Sequence, residues 1–136
     1  MATFPYLHFR GDCAAAMTFY AKALDGTGLQ MMPYSQTPGG DPRPEAEARI
    51  MHAQVTLGDG TLMASDFPPG TEGDAQRGVS VMQVAPTPAT AREWFDRLAD
   101  GGSVIHPFGP TFFASAFGMV KDRFGTHWII SALPQG

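Results

Sequence analysis

The sequence predicts an α+β protein in which one βαβββ module is present twice within 136 residues. The first observation behind this prediction is an internal repeat. Phe19-Tyr20 and Asp25-Gly26 recur 75 residues later as Trp94-Phe95 and Asp100-Gly101. In both copies an aromatic pair precedes an Asp-Gly pair by the same interval, which is typical of a helix followed by its C-terminal stop. The repeat therefore predicts two equivalent helices.

A second repeat lies further along each half of the chain. Gly60-Thr61, followed by an apolar run, recurs as Gly125-Thr126 at a shift of 65 residues, so the shift falls from 75 to 65 between the two repeats. Residues 35–48 (SQTPGGDPRPEAEA) are rich in proline, glycine and acid, as inserted loops are. The first module is therefore expected to carry its extra length there, as a lid, a dimer contact or merely tolerated length.

The composition is that of a globular protein, because 43% of the residues are apolar and 16% are charged. At this length we expect a single domain over residues 1–136, with module one at about 4–66, a linker at about 67–77 and module two at about 78–132. The net charge is −4 and the sequence has no Lys/Arg cluster. Nucleic acid is therefore not expected among its partners.

Cysteine usage and hydropathy predict a cytoplasmic protein. Cys13 is the only cysteine, which excludes an internal disulfide and a multi-cysteine metal cluster. The first residues lack the basic head and long apolar stretch of a signal peptide. Apolar runs stay well short of the ~20 residues that span a bilayer, so no membrane interaction is expected.

Module one begins with an aromatic-rich strand at residues 4–10. Residues 13–24 place apolar side chains at spacings of three and four, which predicts an amphipathic helix. Asp12 is the expected N-cap of this helix, and Gly26 is its expected left-handed C-terminal cap. Three strands follow, at residues 29–34, 50–57 and 61–65, the last two joined by a tight hairpin at Gly58-Asp59-Gly60.

Module two has the same order of signals. A strand is predicted at residues 79–84, Thr87 is the expected N-cap, and Pro88 occupies the first helical position, where its missing N–H costs nothing. The helix is expected to end at about Ala99. Its apolar stripe consists of Ala91, Trp94, Phe95 and Leu98. Three strands follow, at residues 104–108, 117–122 and 126–132, with a turn at 123–125.

Three phrases in this order resemble one known superfamily: YLHFRGDCAAAMTFY, MHAQVTLGDGTLMASD and AFGMVKDRFGTHWII. Across residues 4–132 the chain resembles the vicinal oxygen chelate superfamily of glyoxalase I, bleomycin-resistance proteins and extradiol dioxygenases. Within it the chain looks like the PhnB-like group, whose members often carry a demethylubiquinone methyltransferase label. The resemblance implies a half-open, curved mixed sheet around a cleft with the helices outside, and it implies a homodimer.

Metal-dependent members of the superfamily place four ligands on the strands that line the cleft. The resemblance maps two of these positions to Pro5 and Ile129, and the repeat shifts carry them to Ser80 and Ala64. Pro, Ala and Ile offer no side-chain donor, and a Ser hydroxyl is a poor ligand. Because a catalytic divalent ion needs about three His or carboxylate ligands, we expect no metal and no other cofactor.

Two further chemistries are not favoured by the sequence. The glycines form no glycine-rich turn that opens a helix, so methyl transfer from the usual methyl donor is not expected. Cys13 lies at a helix N-terminus, where the helix dipole favours the thiolate. As a small residue in the first turn it is nevertheless expected to be buried and structural.

Histidines are the candidates for metal-free catalysis. His8 and His52 lie on strands of one module and can approach each other, whereas His127 shares a strand face with Ile129. We expect His8, His52 and His127 to be candidate general acids or bases. The fourth histidine, His106, carries no separate prediction.

An apolar, aromatic cleft with a few polar groups is the usual form of a small-molecule site. The predicted ligand-binding residues are His52, Gln54, Ser65, Ser80, Gln83, Phe113, Phe117 and Trp128. Residues 109–115 are expected to form either a mobile rim or a loop that connects strands or contacts the dimer partner. The leading hypothesis is a glyoxalase/bleomycin-resistance-like protein that binds a small apolar or aromatic molecule. The alternative is a metal-independent enzyme using histidine, and a metal-dependent lyase, a dioxygenase or a methyltransferase is less favoured.

Overall fold

The computed structural model describes residues 1–40 and 42–133, and the chain divides into two compact units, Met1–Gln76 and Arg77–Gly136. Unit one contains strand β1 (Tyr6–Phe9), helix α1 (Cys13–Ala23) and strands β2 (Thr27–Pro33), β3 (Ile50–Leu57) and β4 (Gly60–Asp66). Unit two contains strand β5 (Ser80–Ala85), helix α2 (Pro88–Ala99) and strands β6 (Ser103–Gly109), β7 (Ala116–Lys121) and β8 (His127–Ala132). The predicted tandem βαβββ order is confirmed. The single domain and its linker at 67–77 stay predictions.

The predicted insertion at residues 35–48 lies between β2 and β3. It contains two short 3₁₀ turns, Tyr34–Gln36 and Pro44–Ala46, while residue 41 lies outside the described residues. Ala46 is fully buried, so this segment is anchored to the unit by at least one side chain.

Each unit forms one mixed four-stranded sheet with the same strand order. The order is β1-β4-β3-β2 in unit one and β5-β8-β7-β6 in unit two. The β1–β4 and β5–β8 pairs are parallel, and the remaining pairs are antiparallel. The α+β fold class is therefore confirmed as two mixed sheets, each carrying one helix.

Residue alternation gives the sheet of unit one a packed face and an open face. α1 packs against β2, β3 and β4, and the rings of Phe9 and Tyr20 approach to 6.5 Å between centroids. Met17 and Tyr20 of the predicted helix stripe are fully buried. The strand residues beneath the helix are Leu7, Phe9, Ala53, Val55, Leu62 and Ala64, all of them buried. Side chains at the intervening strand positions therefore point to the open face.

The N-terminus of α1 is capped by a residue that lies far away in the sequence. Asp12 occupies the N-cap position, but its side chain makes no capping hydrogen bond, contrary to expectation. Asp66, at the end of β4, is fully buried, and its Oδ1 accepts from the backbone N–H of Gly11 (2.7 Å) and of Cys13 (3.0 Å). Its Oδ2 accepts from Ile50 N–H at 2.8 Å. One carboxylate thus joins β4 to the start of α1 and the start of β3.

The C-terminal end of α1 also differs from the prediction. The left-handed residue is Asp25, with φ of 53°, and not Gly26. Gly26 is required for a different reason, because a Cβ there would lie 2.8 Å from Leu57 Cδ2 and 3.1 Å from the Thr56 carbonyl oxygen. In unit two the left-handed residue is Gly101, with φ of 79°, and a Cβ on Gly102 would overlap the Lys121 carbonyl oxygen.

The structure shows that the predicted equivalence of Ala64 with Ile129 is wrong. Ala64 is fully buried on the packed face of unit one, whereas Ile129 is partly exposed and alternates with the buried Trp128 and Ile130. A slip of one residue moves a strand position to the opposite face of the sheet. The paired assignment of Pro5 with Ser80 fails for the same reason.

The strand pairings supply the corrected equivalence. Tyr6 pairs with Met63 in β1–β4, and Met82 pairs with Ile129 in β5–β8. All four side chains are at least partly exposed. Tyr6 therefore corresponds to Met82, and Met63 to Ile129, each one residue away from the position that the sequence repeat indicates.

Unit two confirms the predictions made for its helix. Thr87 Oγ1 accepts from the backbone N–H of Thr90 at 3.1 Å, and Pro88 is the first helical residue. The stripe of Ala91, Trp94, Phe95 and Leu98 is buried. α2 packs against β7 and β8, so unit two has a packed face and an open face as unit one does.

Candidate functional site

The open face of unit one gathers polar and aromatic side chains from three strands. We call this set the open-face cluster: Tyr6 and His8 of β1, His52 and Gln54 of β3, and Ser65 of β4. Four of its members are predicted site residues, and the structure brings all four together. Tyr6 is not among the predicted residues. The available signal was its position two residues before His8, which puts both side chains on one face of a strand.

Tyr6, His52 and Gln54 form a hydrogen-bonded chain with a defined direction. His52 Nε2 lies 3.0 Å from Gln54 Oε1, and His52 Nδ1 lies 3.0 Å from Tyr6 Oη. An amide oxygen can only accept, so His52 Nε2 carries the proton. In a neutral imidazole the other nitrogen then accepts, and the Tyr6 hydroxyl donates to it.

His8 occupies the other end of the cluster. Its Nδ1 lies 3.3 Å from the hydroxyl of the buried Ser65. The imidazole stacks on the ring of Phe67 at 5.1 Å, and its centroid is 5.3 Å from that of Tyr6. Phe67 is itself held in place, because Arg49 donates to its carbonyl oxygen at 2.9 Å. Tyr6, His8 and Phe67 thus form a continuous aromatic row beside the polar chain.

A pocket of about 390 Å³ adjoins the cluster. Its lining residues are Tyr6, Gln30, Met31, Met32, Met51 and His52. Three methionine side chains provide flexible, polarisable apolar walls, and Tyr6, His52 and Gln30 supply the polar groups. This combination of apolar walls and a few oriented polar groups is the usual form of a small-molecule site.

A second pocket in unit one, of about 520 Å³, has a different character. It is lined by Arg10, Asp12, Arg49, Gly70, Thr71 and Glu72. Its opposite charges balance. The lining of this larger pocket is mainly polar, and Arg49 already donates to the backbone carbonyl groups of Phe67 and Thr71. The methionine-lined pocket is therefore the better candidate for an apolar ligand.

In unit two the structure places Ser80, Phe117 and His127 on the open face. Ser80 pairs with His127, and Phe117 lies across from Ser131. The rings of His106 and Phe113 both approach Phe117 edge-on, at 5.3 and 5.1 Å. Nδ1 of His127 is buried and has no hydrogen-bond partner within the described chain.

The predicted rim at residues 109–115 contains a hydrogen-bonded turn. Thr111 Oγ1 accepts from Ala114 N–H at 3.1 Å, and Thr111 N–H donates to the Ala114 carbonyl oxygen at 3.1 Å. These bonds hold the turn at whose tip Phe112 is fully exposed.

Two predicted ligand-binding residues lie on the packed face of unit two. Gln83 pairs with Ile130, which is fully buried. Trp128 is fully buried, and its indole N–H donates to Asp122 Oδ2 at 2.8 Å. Asp122 also accepts from the backbone of the turn after β7. Trp128 is therefore placed in the core of its unit.

Burial is the main cause of the raised pKa of two groups that also feel the charge of Asp66, Cys13 and Tyr34. Burial, and then the charge of Asp66, raises the pKa of the Cys13 thiol to about 12. The thiol is fully buried, so the expected structural role fits its position, and the helix dipole does not determine its ionisation. Tyr34, whose hydroxyl donates to the Asp66 carbonyl oxygen at 2.7 Å, has its pKa raised, first by burial and then by the same carboxylate.

The donors of the open-face cluster do not fit the metal held by metal-dependent members of the superfamily. Both ring nitrogens of His52 are engaged, one by Tyr6 and one by Gln54. The described residues contain no group of three or more His, Cys, Asp or Glu side chains that could hold a metal ion. The corrected open-face positions Tyr6, Met63, Met82 and Ile129 again include no His or carboxylate. That the protein uses no metal stays a prediction.

The fold and the repeated sheet define the class of the protein. The chain belongs to the Glyoxalase/Bleomycin resistance protein/Dioxygenase superfamily, whose family model matches residues 5–130. The predicted superfamily is thereby confirmed. Neither helix in the described part of the chain has the length and apolar content needed to cross a membrane.

Three individual proteins are similar to this chain over almost its whole length. Protein PA1353 from Pseudomonas aeruginosa, known from a crystal structure, is 38% identical, with a TM-score of 0.89 over 99% of both chains. Protein YjdN of Escherichia coli (strain K12) is 28% identical over 140 residues, which cover 96% of this chain and 95% of that protein. The PhnB protein from Bacillus cereus, named as a candidate 3-demethylubiquinone-9 3-methyltransferase, is 23% identical with a TM-score of 0.75 over 97% of this chain and 99% of its own. At that identity the PhnB likeness shows the fold alone.

Proposed function

We propose that this protein binds a small, mainly apolar or aromatic molecule in the methionine-lined pocket of unit one. The observation that carries the proposal is the meeting of Met31, Met32 and Met51 with the Tyr6–His52 pair around about 390 Å³. Methionine sulfur makes favourable contacts with aromatic rings, and its side chain adapts to ligand shape. The hydrogen-bonded Tyr6–His52 pair on one wall would then orient the ligand.

Exposure supports a binding role for these side chains. Met31 and Met32 are 38% and 42% exposed, although burying a methionine stabilises a protein by about 1.5–3 kcal/mol. Both are on β2, which is one of the two edge strands of its sheet. A bound apolar molecule would cover this surface and recover part of that free energy.

The experiment is an equilibrium titration of purified protein against a panel of small aromatic and aliphatic compounds, with calorimetry as the readout. Met32→Gln is expected to weaken binding about tenfold, because an apolar contact is replaced by a polar amide. The matched control is Val84→Gln, which changes an equally exposed apolar residue on β5, an edge strand of unit two. Equal affinity losses in both variants would place the ligand elsewhere.

A second candidate function is metal-independent general acid–base catalysis at the same site. The Tyr6–His52 hydrogen bond favours it, because a proton can pass from the tyrosine to the imidazole while Gln54 holds the other ring nitrogen. Among the predicted histidines, His8 belongs to the same cluster and His127 to the other unit. If a bound compound is turned over, His52→Ala should lower kcat by about 100-fold or more. Unchanged turnover would assign the site to binding alone.

We further propose that the protein is a cytoplasmic homodimer. The exposed apolar residues Val104 and Ile105 on the edge strand β6 support a self-association surface, and the unpaired thiol of Cys13 suits a reducing compartment. Sedimentation equilibrium tests the dimer, with Val104→Lys expected to shift the protein towards monomer. Cell fractionation tests the location.

A further inference from the structure

We propose that the pocket of unit one selects ligands that present a neutral hydroxyl donor on an aromatic ring, that is, phenols. This inference rests on the proposed binding function and adds a requirement on the chemistry of the ligand. It follows from the direction of the hydrogen bonds that end at Tyr6 on the pocket wall.

The direction is set by Gln54, which does not line the pocket itself. Its Oε1 lies 3.0 Å from His52 Nε2 and can only accept. The proton of the neutral imidazole is therefore on Nε2, and Nδ1 accepts the hydroxyl proton of Tyr6 at 3.0 Å. A tyrosine hydroxyl has one proton, so Tyr6 Oη keeps only acceptor capacity towards the pocket.

A ligand that meets Tyr6 must consequently be a donor. A ligand carbonyl or ether oxygen would face the lone pairs of Tyr6 Oη and would lose its hydrogen bonds to water without replacement. A charged ammonium donor would lose more hydration against three methionine side chains than one hydrogen bond returns. A phenol satisfies both requirements, because its hydroxyl donates to Tyr6 and its ring contacts the methionine sulfur atoms.

The test uses naphthol and its methyl ether as paired probes, which share a ring system and differ in the hydroxyl proton. Binding is measured from probe fluorescence. Wild-type protein is expected to bind naphthol about fivefold more tightly than its methyl ether. One neutral hydrogen bond changes an affinity by about two- to tenfold, so this difference corresponds to the single bond donated to Tyr6. Equal affinities, or a preference for the ether, would overturn the inference while leaving the proposed binding function intact. If neither probe binds, both the inference and the proposed pocket are refuted.

Two variants separate the hydrogen-bond direction from general effects on the pocket. Tyr6→Phe keeps the ring and is expected to bring the affinity ratio of the two probes to about one. Gln54→Met keeps the side-chain volume but frees His52 to donate from Nδ1, so that Tyr6 can donate to either probe and the ratio again falls towards one. Val84→Gln, in unit two, should keep the wild-type ratio. If the Gln54→Met protein folds and retains the wild-type affinity ratio of the two probes, Gln54 does not set the direction of the hydrogen bonds, and the inference is contradicted.

Discussion

Replacing Asp66 by alanine should destabilise the protein far more than replacing Asp12, although Asp12 occupies the N-cap position of α1. The Asp66 carboxylate is fully buried and accepts three backbone hydrogen bonds, from Gly11, Cys13 and Ile50. The Asp12 side chain makes no capping hydrogen bond. The pair of variants therefore distinguishes a cap supplied from a distant strand from a cap supplied by the local sequence.

The size of the effect follows from the environment of each donor. The N–H groups of Cys13 and Ile50 are buried, and a buried donor left without a partner costs about 1–3 kcal/mol. Gly11 N–H is only partly buried, so water can replace much of its lost bond. Asp66→Ala should thus lower the free energy of unfolding by about 4 kcal/mol. Typical domains have about 5–15 kcal/mol in total, so the loss should be easily measured.

Urea denaturation followed by circular dichroism measures this loss, with Asp12→Ala as the matched control at the same helix end. The control should fall within about 0.5 kcal/mol of wild type, as surface substitutions usually do. A loss of less than about 1 kcal/mol in Asp66→Ala, or an equal loss in both variants, would refute this account of the helix N-terminus.

Three further outcomes are expected. Asp122→Asn should lower the free energy of unfolding by about 2 kcal/mol and alter the fluorescence of Trp128, because the indole N–H donates to the carboxylate at 2.8 Å; unchanged emission would argue against that bond. Gly26→Ala should cost about 2 kcal/mol in a thermal melt, because its Cβ would lie 2.8 Å from a buried side chain. Since the pKa of Cys13 is raised from 9.0 to about 12, its contribution to stability is complete below pH 9.0 and is lost as the pH rises towards 12. Cys13→Ala should therefore show a shallower loss of stability over that interval, and the native thiol should not react with thiol reagents at neutral pH.

The element order could be predicted because its signals are local. Alternation in strands, the Thr87-Pro88 helix start and the apolar stripe of α2 act within a few residues, and the structure has them as expected. The capping of α1 by Asp66 could not be predicted from local sequence signals. It depends on a contact across 55 residues of sequence, and an Asp at the end of a strand carries no local signal for it.

The sequence repeat missed the strand register by one residue for a physical reason. α1 has 11 residues and α2 has 12, while two residues separate Phe9 from Asp12 and only one separates Ala85 from Thr87. The residues that identify the repeat lie in the helices and turns, where the chain tolerates such adjustments. The strands are fixed by their pairing and by their buried face, so equivalent strand residues are separated by a different number of residues from equivalent helix and turn residues.

The site could be predicted in part, because residue type and alternation place side chains on a face. His8 and His52 lie on strands of one sheet, as expected, and each has a hydrogen-bond partner among the other predicted residues, Ser65 for His8 and Gln54 for His52. That these residues bind a ligand stays a prediction. The role of Tyr6 depends on side-chain reach across β4, which lies between β1 and β3. Such a contact depends on sheet order, and that order is set by tertiary pairing.

The corrected register also shows how the two units differ in chemistry. Tyr6 and His8 of β1 correspond to Met82 and Val84 of β5, through the pairs Tyr6–Met63 and Met82–Ile129. By the pairings of β3 with β4 and of β7 with β8, His52 corresponds to Phe117 and Gln54 to Met119.

Every member of the hydrogen-bonded chain in unit one therefore has an apolar counterpart in unit two, while the strand order, the helix and the glycine of close approach are retained. An ordered polar chain needs all of its partners at once, because an incomplete chain leaves buried or half-buried polar groups without partners. Tyr6, His52 and Gln54 are complete as a set in one unit and absent as a set from the equivalent positions of the other. This pattern is expected if the chain acts as one functional group, and it is why the proposed ligand chemistry is assigned to unit one.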